Sequence, residues 1–135
     1  EIRDCSIEEQ YRLVHNAGGI VIQAHPFREE PYIKAVRLFP DCVDGVEAIN
    51  ATHSSPRSVS HKHPEWNDQA LCYAKEKNLP ITAGSDQHKA AMIGGGMVFN
   101  RKMENIHDLC CAIINREAVD YLDGTKPIGN GKLIL

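Results

Sequence analysis

The sequence predicts an α/β fold with a mainly parallel sheet. Three observations carry this. Segments with helical periodicity alternate with short apolar runs along the chain. The short runs are rich in Val and Ile and lack clear alternation, as strands covered on both faces do. Each run is separated from the next by enough chain to form a helical crossover.

The elements follow in order. Ser6-Ile7-Glu8-Glu9 has the S-x-x-E form of a capping box, and Ile7, Tyr11, Val14 and Ala17 recur at helical spacing up to Gly18-Gly19. Ile20-Val21-Ile22 is a candidate buried strand. Pro31 is placed to open a second helix through Ile33, Val36 and Phe39, stopped near Pro40. A second strand is predicted over 43–49, followed by a polar loop over 51–63. Pro64 starts a third helix through Trp66, Ala70, Tyr73 and Ala74, ending near Asn78. A third strand is predicted over 79–83 and a fourth over 97–99. Ile106, Leu109, Cys110, Ile113 and Ile114 form a helical stripe. A fifth strand is predicted over 118–122. The last dozen residues carry no clear pattern.

Composition sets limits on function. The chain has 135 residues, 42% hydrophobic and 24% charged, with a net charge of −3. This predicts one domain and argues against a protein that coats nucleic acid or anionic membrane. No apolar run approaches the roughly 20 residues of a membrane span. The start of the sequence has no signal-peptide pattern. The five cysteines show no C-x-x-C spacing. Cys72 and Cys110 fall on apolar helix faces, where free buried thiols are expected, and a reducing cytoplasmic location is predicted. Gly94-Gly95-Gly96 lacks the Lys-Ser/Thr of a phosphate-binding loop and reads as a tight turn before a strand.

Sites in α/β folds form beyond the carboxyl ends of the strands. His25 and Arg28 follow the first predicted strand. Glu47 lies in the second, and His53 follows it. Asp86 and His88 follow the third. Imidazole and carboxylate together suit zinc, manganese or iron. Other readings exist for each residue. Asp86 suits a turn that bonds its own backbone. Arg28 suits a solvated loop charge, Glu47 a paired strand-end carboxylate, and His53 a solvent-facing loop histidine. His15 lies on the first helix. His61 and His63 form an H-x-H in a loop without a preceding strand, and His107 opens a helix.

The segments GGIVIQAHP, VDGVEAIN and NLPITAGSDQH, in this order, resemble the later part of the PHP (polymerase and histidinol phosphatase) family, over about residues 6–122. AHP and GSDQH correspond to the family's third and fourth motifs. The resemblance implies part of a distorted (β/α)7 barrel and hydrolysis of a phosphoester by a metal-activated water. It implies that His25, Asp86 and His88 are metal ligands, that Glu47 faces the site and serves catalysis and that Arg28 binds substrate phosphate; His53 is added as a catalytic candidate because it directly follows the second strand. The cofactors it implies are divalent metal ions, zinc, manganese or iron. The partner is a phosphorylated small molecule or nucleotide, with no membrane. The family's first motif, an H-x-H, and the histidine of its second do not precede His25. The expectation is therefore a single C-terminal PHP-like region over 1–135, completed by a missing N-terminal part or a second copy of the chain. The alternative is a catalytically degenerate PHP-like module for binding or regulation.

Overall fold

The computed structural model describes residues 2–59, 61–88 and 94–125. Helix α1, Ile7–Asn16, begins where the Ser6 hydroxyl accepts the Glu9 amide at 3.2 Å. It ends before Gly18, whose φ of +78° suits a residue without Cβ. A three-stranded parallel sheet follows, in the order β1 (Ile22–Gln23), β2 (Gly45–Asn50), β3 (Ile81–Gly84). Helix α3, Pro64–Glu76, covers one face, with Pro at its first turn as predicted.

The core lies where α3 meets β2. Val46 and Ala48 pack against Ala70, Tyr73 and Ala74, with Phe27, Leu71, Leu79 and Ile81 around them. Side chains alternate across a strand. Val46 and Ala48 therefore face α3, and Glu47 between them points to the opposite face, toward Gly84 and His25. The strand pattern thus fixes which face carries the candidate site.

A second sheet pairs β4 (Gly95–Phe99) with β5 (Ala118–Asp123), joined by α4 (Ile106–Ile114). This pair is antiparallel, where the alternation of elements predicts parallel strands. An apolar strand pattern carries no direction, and β5 keeps three of its six residues exposed, as one-sided antiparallel strands do. Neither sheet closes into a barrel among the described residues.

Four expectations are corrected. The helix predicted over 31–40 is absent. Among the described residues, Ile33, Val36 and Leu38 stay exposed, so little packing offsets helix nucleation. The Gln23 side chain also takes the Arg37 carbonyl at 2.7 Å and the Phe39 amide at 3.4 Å, competing with helical bonds. The loop predicted over 51–63 opens with a helical turn, α2 (Ala51–Ser54), capped by the Asn50 side chain on the Thr52 amide. Cys72 is exposed, while Cys110 is half-buried; Cys42, Cys72, Cys110 and Cys111 are free thiols. Gly95 and Gly96 lie inside β4 and make no turn. A Cβ at Gly95 would overlap the Gly84 carbonyl and the Ala51 methyl, so the glycine serves a close approach of β4 to β3 and α2.

The residues from 126 on, where the sequence carries no clear pattern, lie outside the described residues. Among the described residues no helix is long and apolar enough to cross a membrane.

Candidate functional site

The end of β1, the middle of β2 and the end of β3 bring His25, Glu47 and Asp86 to one rim. His25 follows β1 with φ +24°, and Asp86 follows β3 with φ +47°. Both are non-glycine residues in the left-handed region, a conformation that costs about 1–3 kcal/mol each. Among the described residues the other two, Asn78 and Arg116, sit just after helices. The strain at His25 and Asp86 is thus confined to strand ends on one rim.

Glu47 organises the first half of the site. Its Oε2 accepts the His25 backbone N–H at 3.1 Å, the His25 ring at 2.9 Å and the Asn50 side-chain amide at 3.3 Å. An ionised carboxylate only accepts. The His25 Nδ1 therefore carries a proton, and in the neutral ring Nε2 holds the lone pair. Gly84 makes room for this carboxylate, because a Cβ at 84 would overlap Glu47 Oε1.

Arg28 organises the second half. Its Nη1 donates to Asp86 Oδ2 at 2.6 Å, and its Nε donates to Glu30 Oε1 at 3.4 Å. The three side chains are 11–16% exposed, so this is a largely buried network and not a solvated charge. His61 Nδ1 lies 2.8 Å from the same Glu30 oxygen. Burial pushes the Asp86 carboxyl up. The charges of Arg28 and His25 and hydrogen bonds from Asn50 and Arg28 outweigh that effect and hold it below the usual carboxylate range.

His53 is the correction at the site. A loop histidine facing solvent was the alternative reading, yet its side chain lies on α2 with 1% exposure. Its ring Nδ1 is 2.9 Å from Asn67 Oδ1. Asn67 is oriented by the chain itself: Oδ1 accepts the Asn50 amide at 3.1 Å, and Nδ2 donates to the Asn50 carbonyl at 3.1 Å. Burial pushes the His53 imidazolium down, which keeps the ring neutral.

His88 reaches the rim only from its edge. Its Nε2 lies 3.3 Å from Asp86 Oδ1, and the side chain is 78% exposed. The remaining histidines have other partners. His15 pairs with Asp44 at 2.8 Å, joining α1 to the start of β2. His63 pairs with Glu65 at 2.7 Å and stacks on Trp66. His107 is exposed on α4.

The rim thus gathers five of the six predicted site residues closely, with His88 at its margin. Sequence reasoning missed Glu30, Asn50 and Asn67, and it set His61 aside as part of a loop H-x-H. Glu30 sits two residues from Arg28, a spacing that offers a signal; the others are joined only by folding. Among the described residues no group of three His, Cys, Asp or Glu side chains is already set to hold one ion. The Asp86 carboxylate is engaged by Arg28, and His25 by Glu47.

No curated protein and no solved structure matches the chain. Residues 64–118, from α3 to the first residue of β5, match the model of the family described as PHP-associated. The matched stretch contains Asp86 and His88, and it shows the PHP resemblance over these residues as a C-terminal PHP-associated region.

Proposed function

We propose that the chain is the C-terminal part of a PHP-type metal-dependent phosphoesterase, acting on a phosphorylated small molecule or a nucleotide. The observation that carries the reading is the convergence of two strained strand-end residues, His25 and Asp86, beside a largely buried arginine. The donor set fits a divalent zinc, manganese or iron ion in kind. A histidine whose second nitrogen is tied to a carboxylate, as His25 is to Glu47, is the arrangement that orients and strengthens a metal ligand. The set is incomplete in number, and the further ligands are assigned to the N-terminal part of the domain or to a second copy of the chain.

A bound ion would neutralise charge on the phosphoryl oxygens and acidify water. His25, Asp86 and His88 are the residues assigned to hold it. Glu47 fixes the His25 ring and its tautomer. Arg28 binds phosphate oxygens with its planar fork, exchanging Asp86 for the substrate. A neutral, buried His53 is a poor proton donor at neutral pH, so the proton for the leaving group is assigned to water. The free thiols agree with a reducing cytoplasmic location.

A second reading, an inactive PHP-like module, draws on the Arg28–Asp86 pair, in which the guanidinium already satisfies the carboxylate. Metal content and phosphate release from a generic phosphomonoester separate the two readings. Bound metal with turnover that falls on substitution of Asp86 supports the enzyme. Turnover that survives alanine at Asp86 and at His88 overturns the proposed site.

A further inference from the structure

We infer that His53 is a further metal-binding side chain, paired with His25 across the rim; this rests on the phosphoesterase reading above. The first ground is hydrogen bonding. His53 Nε2 is buried and finds no partner among the described residues. A buried polar atom left without a partner costs about 1–3 kcal/mol. Most such atoms in native proteins are satisfied, so each one calls for an explanation.

The second ground is the tautomer. The backbone bonds of Asn67 fix its Oδ1 as the acceptor facing His53. His53 Nδ1 is then the donor, and Nε2 carries a lone pair. A lone pair suits a cation and cannot donate to a phosphate oxygen. His25 has the same construction, with Nδ1 tied to Glu47 and Nε2 left over. Two imidazoles in one site, each with Nδ1 held by a side-chain oxygen, match the second-shell pattern of histidine metal ligands.

The third ground is distance. The two ring centroids are 6.3 Å apart and nearly perpendicular, at 86°. Imidazoles bound to one ion at about 2.1 Å have centroids about 5 to 6 Å apart. A small side-chain rotation brings the pair into that range. His53 is held from behind by Trp66, whose ring lies edge-on at 5.0 Å. The rigid partner in the pair is thus His53, and His25, on its strained strand end, is the one that adjusts.

The test is a zinc titration of the chain labelled with 15N at histidine, followed through the ring nitrogens by NMR. The wild-type sequence is used, together with the proposed N-terminal part of its domain, so that the full proposed ligand set is present. The expected result is that Nε2 of both His25 and His53 moves away from its unprotonated position as zinc is added, while both Nδ1 signals keep their protons. A companion His53→Gln variant should lose at least about 10- to 100-fold in zinc affinity, the loss that even outer-shell partners produce. Movement of His25 alone overturns the inference and leaves the phosphoesterase reading standing. Movement of neither ring overturns both.

Discussion

Arg28 and Asp86 stand 58 residues apart in sequence and meet at 2.6 Å. The contact joins the loop after β1 to the end of β3, and it places a guanidinium beside a proposed metal ligand. Arg28→Ala should therefore have opposite effects on two ligands. Inorganic phosphate should bind about 10- to 100-fold more weakly, the value of a charge-assisted bond of about 1.5–3 kcal/mol. Metal affinity should hold or rise, because the Asp86 carboxylate loses its competitor. Calorimetric titrations with phosphate and with zinc check this, and weaker binding of both would argue that Arg28 only braces the fold.

Glu47 carries three hydrogen bonds on one oxygen, two of them from His25. Glu47→Gln keeps the size and removes the charge that sets the His25 tautomer. The expected outcome is a loss of about 10- to 100-fold in metal affinity. Competition against a chelating dye measures it. Unchanged affinity would mean that the His25–Glu47 pair is structural.

Gly84 is required by a neighbour. A methyl group there would collide with Glu47 Oε1. Gly84→Ala should destabilise the chain by about 1–3 kcal/mol, as overpacking does, and should lower metal affinity by displacing Glu47. Urea unfolding and the same dye competition read the two effects.

Asp108 provides a pH prediction away from the site. Hydrogen bonds from the Arg101 guanidinium, at 2.8 Å to each carboxylate oxygen, lead the causes that hold its pKa down to about 2. A carboxyl lowered on folding binds fewer protons in the native state than in the unfolded one. Its stabilising contribution is present above the ordinary value of 3.8 and disappears as pH falls through about 2. Carboxyl 13C NMR should show Asp108 titrating near that value, and Arg101→Ala should move it back toward 3.8.

Much of this fold was legible because periodicity and capping act locally. Ser6, Pro64 and the stripe from Ile106 to Ile114 marked their helices with nothing but neighbours in sequence. The segment around Ile33 and Val36 carried the same signal without forming a helix, since its apolar side chains stay exposed among the described residues. The direction of β5 depends on how the chain returns, which an apolar pattern does not encode. At the site, strand-end placement brought out His25 and Asp86, and position within the second strand brought out Glu47. The burial of His53 was hidden because it depends on Asn67, 14 residues away on another helix. Arg28 was legible as a cation, while its partner Asp86 was set by the parallel register of β2 with β3 and β1.

The central claim is that the rim binds a divalent ion and hydrolyses a phosphoester with it. The most direct measurement is phosphate release from p-nitrophenyl phosphate by the chain together with the N-terminal part of its domain, with added manganese, with a chelator, and with Asp86→Asn. The account expects turnover that needs the metal and falls at least about 100-fold in the variant, equivalent to about 2.7 kcal/mol of transition-state stabilisation. Turnover that persists in the chelator or in Asp86→Asn would contradict it.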